Sequence, residues 1–315
     1  MRYVLVALLF ACGGGGNSGV DASKPDALLD APEAPLNVHR FVVDKQKVPQ
    51  NTNEARMFAF DLDGDVTLDN QLGMVLGTLA GQGINSQTAS DMAVDRGAQI
   101  QLVELGVDLA LGGPGTLAMF TGANPMPTAC YGASDTTCRK HLSGMASFTV
   151  AADSARDIPL NGTLAGSAFT AGPGHLQLQI AVMSSKPVAL NLIGARVKMN
   201  ATATNITEGI IGGGVTTADR DAKIYPGIRD GANDAIMRDC TMPTAPPSCG
   251  CAAGSTGKSM TNLFDTSPKD CTVSLDEIRN STLLQSLFAP DIMVEGQQVL
   301  SVGVGFTAVH AGFVP

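Results

Sequence analysis

Aromatic side chains are scarce in this 315-residue chain: tryptophan is absent, and aromatic residues make up 4% of the sequence. Sugar-binding and base-stacking surfaces usually rely on aromatic rings, so the composition argues against both kinds of site. Lysine and arginine form no cluster, and the formal net charge is −9 at pH 7. We therefore expect no binding of nucleic acid, and cations are the better candidates for a ligand.

No apolar run is long enough to span a bilayer, and the longest one near the start, Val4 to Phe10, is much too short. Arg2 precedes this run and a small residue followed by Cys12 ends it, which is typical of a secretory signal. The segment Leu9-Phe10-Ala11-Cys12 resembles the lipobox of bacterial lipoproteins. The resemblance implies a signal peptide at residues 1–11 and lipidation at Cys12, so the mature protein would be exported and anchored to a membrane by its lipid.

The residue after Cys12 is not aspartate, and in this respect the chain resembles lipoproteins that are sorted to the outer membrane. We therefore expect the protein on the periplasmic or cell-surface face of that membrane. The alternative is a plain secretory signal in which Cys12 has no role. Residues 12–37 contain a glycine run followed by a segment rich in Asp, Ala and Pro. Such a segment buries too little apolar surface to fold, so we expect a tether before a folded domain at residues 38–315.

The periodicity of apolar residues indicates an α+β fold, with a mainly antiparallel sheet and a few amphipathic helices. Apolar residues alternate in several stretches, and the phase of the alternation changes around Gly194, which indicates a bulge. Leu72 to Leu79 have helical spacing, with Asp69 as the expected N-cap. The strands are expected within 41–43, 57–60, 103–111, 176–182, 188–199 and 300–306, and the helices within 69–79, 86–97, 217–238 and 274–288.

Apart from Cys12 the chain has six cysteines, an even number that suits disulfides in an oxidising compartment. Cys130 and Cys138 are expected to pair with each other. Three connectivities are open for the other four cysteines, and zinc binding is the alternative there. We favour disulfides because no CxxC pair and no nearby histidine occur. The second group consists of Cys240, Cys249, Cys251 and Cys271.

The strongest chemical signal is an acidic loop from Asp61 to Asn70, with four carboxylates within nine residues. These carboxylates would repel one another, and Ca²⁺ relieves the repulsion because it prefers six to eight oxygen ligands. The spacing resembles the DxDGDxxxDN loops of EF-hand-type calcium repeats, such as the thrombospondin type 3 and dockerin families. The resemblance implies that a backbone carbonyl ligand comes from Thr67. It also implies four side-chain ligands, namely Asp61, Asp63, Asp65 and Asp69.

This loop departs from the EF-hand pattern in three ways. Val66 replaces the glycine of position six, Leu72 replaces the glutamate of position twelve, and a strand is expected before the loop where an EF-hand has a helix. The alternative interpretation is a solvated acidic turn that caps the helix beginning near Leu72.

A weaker second calcium loop is expected around Asp265, Asp270 and Glu277, within a cysteine-rich subregion at residues 240–290. It resembles the back half of an EF-hand loop, but counted from Asp265 it is one residue too long. Cys271 stands in place of the glycine and Lys269 adds a positive charge. We expect a degenerate loop that a disulfide braces in place of a metal.

Three enzymatic or nucleotide-binding alternatives are weaker. The segment Phe60 to Gly64 resembles the first motif of haloacid-dehalogenase-type hydrolases, in which Asp61 would be the nucleophile, Asp63 the general acid/base and Mg²⁺ the cofactor. Asp65 replaces the usual threonine, and the later acidic motif is missing. Residues 252–259 fit a relaxed phosphate-loop pattern without the preceding strand, so no nucleotide is expected, and no serine-hydrolase elbow occurs.

The sequence therefore predicts a lipid-anchored, exported calcium-binding module at the cell surface or in the periplasm, with a structural Ca²⁺ and no enzymatic activity. A Mg²⁺-dependent phosphohydrolase that uses Asp61 and Asp63 is the alternative function. The protein or ligand partner is not identified by any motif.

Overall fold

Strands dominate the part of the chain that the computed structural model describes, namely residues 37–81, 85–132, 134–183, 186–241 and 249–315. The predicted signal peptide, Cys12 and residues 12–36 of the predicted tether lie outside these residues. The strands are β1 (Val38–Lys47), β2 (Gln101–Gly106), β3 (Gly113–Met126), β4 (Ser147–Val150), β5 (Leu160–Ala165), β6 (Ala168–Ala171), β7 (Leu176–Ile180), β8 (Val188–Ala201), β9 (Asn205–Thr216), β10 (Ile292–Val294) and β11 (Gln297–His310).

Eight of these strands form a closed antiparallel sheet in the order β1-β2-β3-β5-β6-β8-β9-β11, and β11 pairs back onto β1. The sheet thus closes as a barrel, which leaves no free edge among the eight strands. Strands β4, β7 and β10 pair with β3, β8 and β11, respectively. The predicted class, a mainly antiparallel sheet with a few helices, is confirmed, and the closure is a finding of the structure.

The helices are short, and a π-helical segment comes directly before the longest of them. They are α1 (Thr52–Met57), α2 (Gln71–Gly81), α3 (Ser86–Asp95), α4 (Thr217–Asp219), α5 (Tyr225–Asp239), α6 (Thr256–Leu263), α7 (Leu275–Asn280) and α8 (Thr282–Leu287), with a π-helical segment at Arg220–Ile224 and a 3₁₀ turn at Lys140–Leu142. Within the described residues, no helix is both long and apolar enough to cross a membrane.

The main core fills the inside of the closed sheet. Alternate residues of all eight strands join one buried cluster, which the apolar faces of α2 and α5 extend. In β8 the inward residues shift from Leu192 to Ala195 and Val197, and the register with β9 breaks between Ile193 and Arg196. Gly194 lies there with φ +58°, so the predicted bulge is confirmed.

One edge of β7 pairs with β8. On the other edge, glutamine side chains form hydrogen bonds with the backbone N–H and C=O groups of β7. Gln101 Oε1 accepts from Gln179 N at 2.9 Å, and Gln101 Nε2 donates to Gln177 O at 3.2 Å. Gln46 and Gln99 both donate to Gln179 O. All five glutamines are buried, so their amides take the place of a neighbouring strand.

Several predicted elements were wrong in detail. Met57–Phe60 is not a strand: Asn51 caps the start of α1 by accepting from Glu54 N, and the helix runs to Met57, with Phe58 as its C-cap. The strand predicted over 103–111 ends at Gly106. The helix predicted over 274–288 is two helices, separated at Ser281, whose side chain caps α8.

All three disulfides lie within the described residues. Cys130 pairs with Cys138, as predicted. Of the three connectivities open for the other cysteines, the structure has Cys240–Cys251 and Cys249–Cys271. The zinc alternative is wrong, because all four sulfur atoms are bonded in pairs.

Candidate metal site

The acidic loop connects α1 to α2 and is closed at its base by an isolated bridge between Phe60 and Asp69. Asp69 N donates to Phe60 O at 2.7 Å, and Leu62 N donates to Asp69 Oδ2 at 2.7 Å. The loop is therefore flanked by two helices, as an EF-hand loop is. The expectation of a strand before the loop, which counted against the resemblance, does not hold.

Backbone N–H groups of the loop hold its carboxylates in place. Asp61 accepts from Gly64 N at 2.7 Å and from Val66 N at 3.2 Å, one bond on each oxygen. Asp63 accepts from Asp65 N at 3.2 Å, and Asp65 accepts from Thr67 N at 2.7 Å. These bonds fold the loop around its own acidic side chains.

The carboxylates of Asp61, Asp63 and Asp65 converge: one oxygen from each lies within 4.8 Å of the others. Calcium–oxygen distances are about 2.3–2.6 Å, so ligands on opposite sides of the ion lie about 5 Å apart. The three oxygens therefore have a spacing that a single Ca²⁺ can bridge. Asp63 and Asp65 are exposed, so an ion can reach them from solvent.

Val66 has the backbone conformation that the glycine of position six has in an EF-hand loop. Its φ is +71°, in the left-handed region that a β-branched residue rarely adopts. The side chain is 91% exposed, so packing does not hold it there. The hydrogen bond from Val66 N to Asp61 holds the backbone in this conformation. The loop therefore keeps the sharp turn although valine is unfavourable there.

Asp69 does not join the three converging carboxylates. Asp69 is buried, and its Oδ2 is occupied by Leu62 N. Burial raises the pKa of the Asp69 carboxyl, and the nearby charges of Asp63, Asp291 and Asp65 raise it further, while the bond from Leu62 opposes them. Thr67 donates its N–H to Asp65.

The N-cap of α2 is Asn70, which accepts from Gly73 N at 2.9 Å, and not Asp69 as predicted.

Asn70 also fastens the end of the loop to the sheet. Its Nδ2 donates to Ala55 O and Gly303 O, both at 2.9 Å, and its Oδ1 accepts from Gly303 N at 2.7 Å. The side chain is 4% exposed. One buried amide therefore connects α1, the start of α2 and strand β11.

A further carboxylate near the loop, Asp291, was missed by sequence reasoning. It accepts from Ser301 N at 2.7 Å and from Ser301 Oγ at 2.5 Å, while Ser301 Oγ accepts from Gln71 N at the start of α2. Loss of hydration raises the pKa of the Asp291 carboxyl, and the charge of Asp63 adds to the rise. No local pattern marks Asp291, because its neighbours in space are far away in sequence.

The second loop satisfies its carboxylates with its own backbone. Asp265 accepts from Asp270 N at 3.1 Å and from Cys271 N at 3.0 Å, and Asp270 accepts from Thr272 N. Cys271 has φ +67°, like Val66 in the first loop. Asp265 lies close to Cys249 and Cys271, but those sulfurs are bonded to each other and cannot bind a metal.

Glu277 belongs to the capping box of α7 and does not join a group of converging carboxylates among the described residues. Burial opposes its charge, but N–H groups of Ser274, Thr266 and Ser267 donate to the carboxylate and hold its pKa below the ordinary value. Both carboxylate oxygens of Glu277 thus accept hydrogen bonds from backbone N–H groups.

Among the described residues, an isolated bridge and not a strand comes directly before the relaxed phosphate-loop segment. Residues 252–255 follow the bridge between Cys240 and Cys251, and Ser255 caps α6. Gly257 N donates to the carboxylate of Asp239 at 2.8 Å, so an acidic side chain occupies the start of this helix. This negative charge opposes the binding of a phosphate there.

Comparisons with known proteins give no relative: no family model, no curated protein and no solved structure matches the chain.

Proposed function

We propose that this protein is an exported lipoprotein whose domain binds one Ca²⁺ in the loop Asp61–Asp69, and that the ion has a structural role. The observation that carries the proposal is the convergence of three carboxylate oxygens within 4.8 Å. Helices on both sides of the loop and the left-handed backbone at Val66 add support. Asp61, Asp63 and Asp65 would be the first ligands of the ion, and Thr67 O and Asp69 would complete the set after a small adjustment.

The structural role follows from what the loop is attached to. At the end of the loop, the Asn70 side chain accepts from Gly303 N, and Gln71 N donates to Ser301 Oγ. Without an ion, the charges of Asp61, Asp63, Asp65 and Asp291 oppose one another beside these contacts. Bound Ca²⁺ would remove the repulsion and stabilise the junction between α2 and the closed sheet, by about 2.7 kcal/mol when free Ca²⁺ is 100-fold above its Kd.

The affinity for Ca²⁺ tests the site directly. Isothermal titration of the full chain should show one strong Ca²⁺ site with much weaker Mg²⁺ binding, because Mg²⁺ demands a tighter octahedral shell. Asp63→Ala should abolish the strong site. Asp153→Ala is the control, since Asp153 is an exposed aspartate outside the loop. Unchanged Ca²⁺ binding in Asp63→Ala would contradict the proposal.

The phosphohydrolase alternative makes different predictions. It requires turnover of a phosphate ester with Mg²⁺ and complete loss of that turnover in Asp61→Asn. The closed antiparallel sheet supports the calcium proposal, because the hydrolase resemblance implies a βαβ arrangement with parallel strands.

The membrane anchor is a proposal that rests on Leu9–Cys12 alone. Growth of an expressing bacterium with radiolabelled palmitate should label the full chain and leave Cys12→Ser unlabelled. Label in both proteins, or in neither, would contradict lipidation at Cys12.

A further inference from the structure

A hollow of about 460 Å³ lies on the outer face of the closed sheet, against strands β5, β6 and β8. Its volume is within the range of about 300–1,000 Å³ for small-molecule sites. Outward residues of these strands line it, since their neighbours Phe169, Val197 and Met199 face the main core. The outward residues are Asn161, Thr163, Thr170, Arg196 and Lys198.

The strand register brings the polar side chains together. Thr163 lies opposite Thr170, which lies opposite Lys198 on the next strand. Arg196 is two residues before Lys198 on the same face of β8, about 7 Å away along the strand. Two cationic side chains and two hydroxyl groups therefore surround one patch of sheet.

Glycines beside Arg196 allow the close approach of neighbouring groups. Gly212 is its partner on β9, and Gly172 lies on its other side, where an added Cβ would be 3.0 Å from Arg196 Cα. The ring of Phe60 lies over Gly212, where an added Cβ would be 2.6 Å from Phe60 Cδ2, and it forms a side wall of the hollow.

One donor of Arg196 lacks an acceptor among the described residues. Its Nε is buried and has no hydrogen-bond partner among the described residues. Within the same part of the chain, neither Arg196 nor Lys198 forms an ion pair, although the protein carries a net charge of −9. A buried donor of a charged group without a partner is costly, so this position favours a bound acceptor.

We propose that the hollow binds a small organic anion, whose carboxylate or phosphate group is held by Arg196 and Lys198. The planar guanidinium of Arg196 suits the two oxygens of such a group, and the Thr170 hydroxyl is placed to donate to the same group. The carbon part of the ligand lies against Phe60, which lines the hollow. Phe60 also closes the base of the acidic loop, but the cationic residues of this site lie on β8, outside the loop.

Titration of the full chain with three probes tests the proposal: phenyl phosphate, benzoate and inorganic phosphate, followed by NMR or calorimetry at low salt. We expect saturable binding of at least one aromatic anion, weakened at least tenfold in Arg196→Gln and severalfold in Thr170→Val, with little effect on the fold. Arg96→Gln is the control, because Arg96 is an exposed arginine at the end of α3. It should bind within twofold of the native chain.

Preference between phenyl phosphate and benzoate identifies the headgroup, and tighter binding of phenyl phosphate than of inorganic phosphate supports contact with Phe60. Absence of saturable binding of all three probes would overturn the proposal, as would equal affinity in Arg196→Gln and the native chain. If Arg196→Gln does not fold, Lys198→Gln replaces it, because Lys198 is exposed. Unchanged binding in that variant would also overturn the proposal.

Discussion

Replacement of Gln101 tests whether its side-chain amide stabilises the edge of β7 that does not pair with another strand. Gln101 is 2% exposed, and its amide accepts from Gln179 N and donates to Gln177 O and Phe120 O. Gln101→Leu keeps the approximate size of the side chain but removes these bonds. At least two buried backbone groups of β7 would then lack a partner.

An unpaired buried group costs about 1–3 kcal/mol, so Gln101→Leu should lower the free energy of unfolding by about 2–5 kcal/mol. At roughly 2–4 °C per kcal/mol for a domain of this size, a loss of 3 kcal/mol lowers the melting temperature by about 6–12 °C. Urea unfolding followed by circular dichroism measures the first quantity, and calorimetry measures the second.

The matched control is Gln298→Leu, an exposed glutamine on strand β11. It should change the stability by less than about 0.5 kcal/mol. Hydrogen exchange gives a local readout, because the amide of Gln179 should exchange much faster in Gln101→Leu. A stability loss below 1 kcal/mol together with unchanged exchange of Gln179 would refute the role assigned to the glutamine amides.

Three other substitutions concern the loop and its attachment. Val66→Gly should stabilise the calcium-free protein by roughly 1 kcal/mol in urea unfolding, because a β-branched residue at φ +71° is strained and glycine is not; a loss of stability would contradict this. Asn70→Ala should cost about 3–5 kcal/mol in the same assay, since it removes a helix cap and leaves Gly303 N and O without their side-chain partner; a loss below 1 kcal/mol would show that the amide is not the main link to β11. Asp69 has a pKa raised in the folded state, so ionisation of its carboxyl destabilises the calcium-free fold as pH rises above about 4, the ordinary pKa of aspartate. Asp69→Asn should therefore stabilise that form at pH 7 and have little effect near pH 4, and a benefit that is independent of pH would contradict the assigned cause.

The sequence allowed the class of the fold and the strands β1, β2, β7, β8 and β11 to be predicted, because inward and outward residues alternate there. Strands β3, β5, β6 and β9 of the closed sheet were not predicted. Gly194 marked its bulge because the alternation changes phase there. The closure of the sheet could not be predicted, since it depends on β1 pairing with β11 across almost the whole domain. The register between distant strands has no local signal.

The loop shows the same division between local and distant effects. Its alternating aspartates were visible in the sequence, and three of them converge as the spacing implies. Asp69 and Asn70 are both good N-caps by type, and only the contacts of Asn70 with Gly303 decide between them. Asp291 and the hollow at Arg196 depend on register across the sheet, so nothing nearby in the sequence points to them.

The most direct test of the calcium proposal is thermal unfolding of the full chain, with its disulfides intact, in EDTA, Ca²⁺ or Mg²⁺. The proposal predicts a melting temperature several degrees higher in Ca²⁺ than in EDTA or Mg²⁺, by the linkage of binding to folding. The increase should disappear in Asp63→Ala and persist in Asp153→Ala. Equal melting temperatures under all three conditions would contradict a structural Ca²⁺ in the loop Asp61–Asp69.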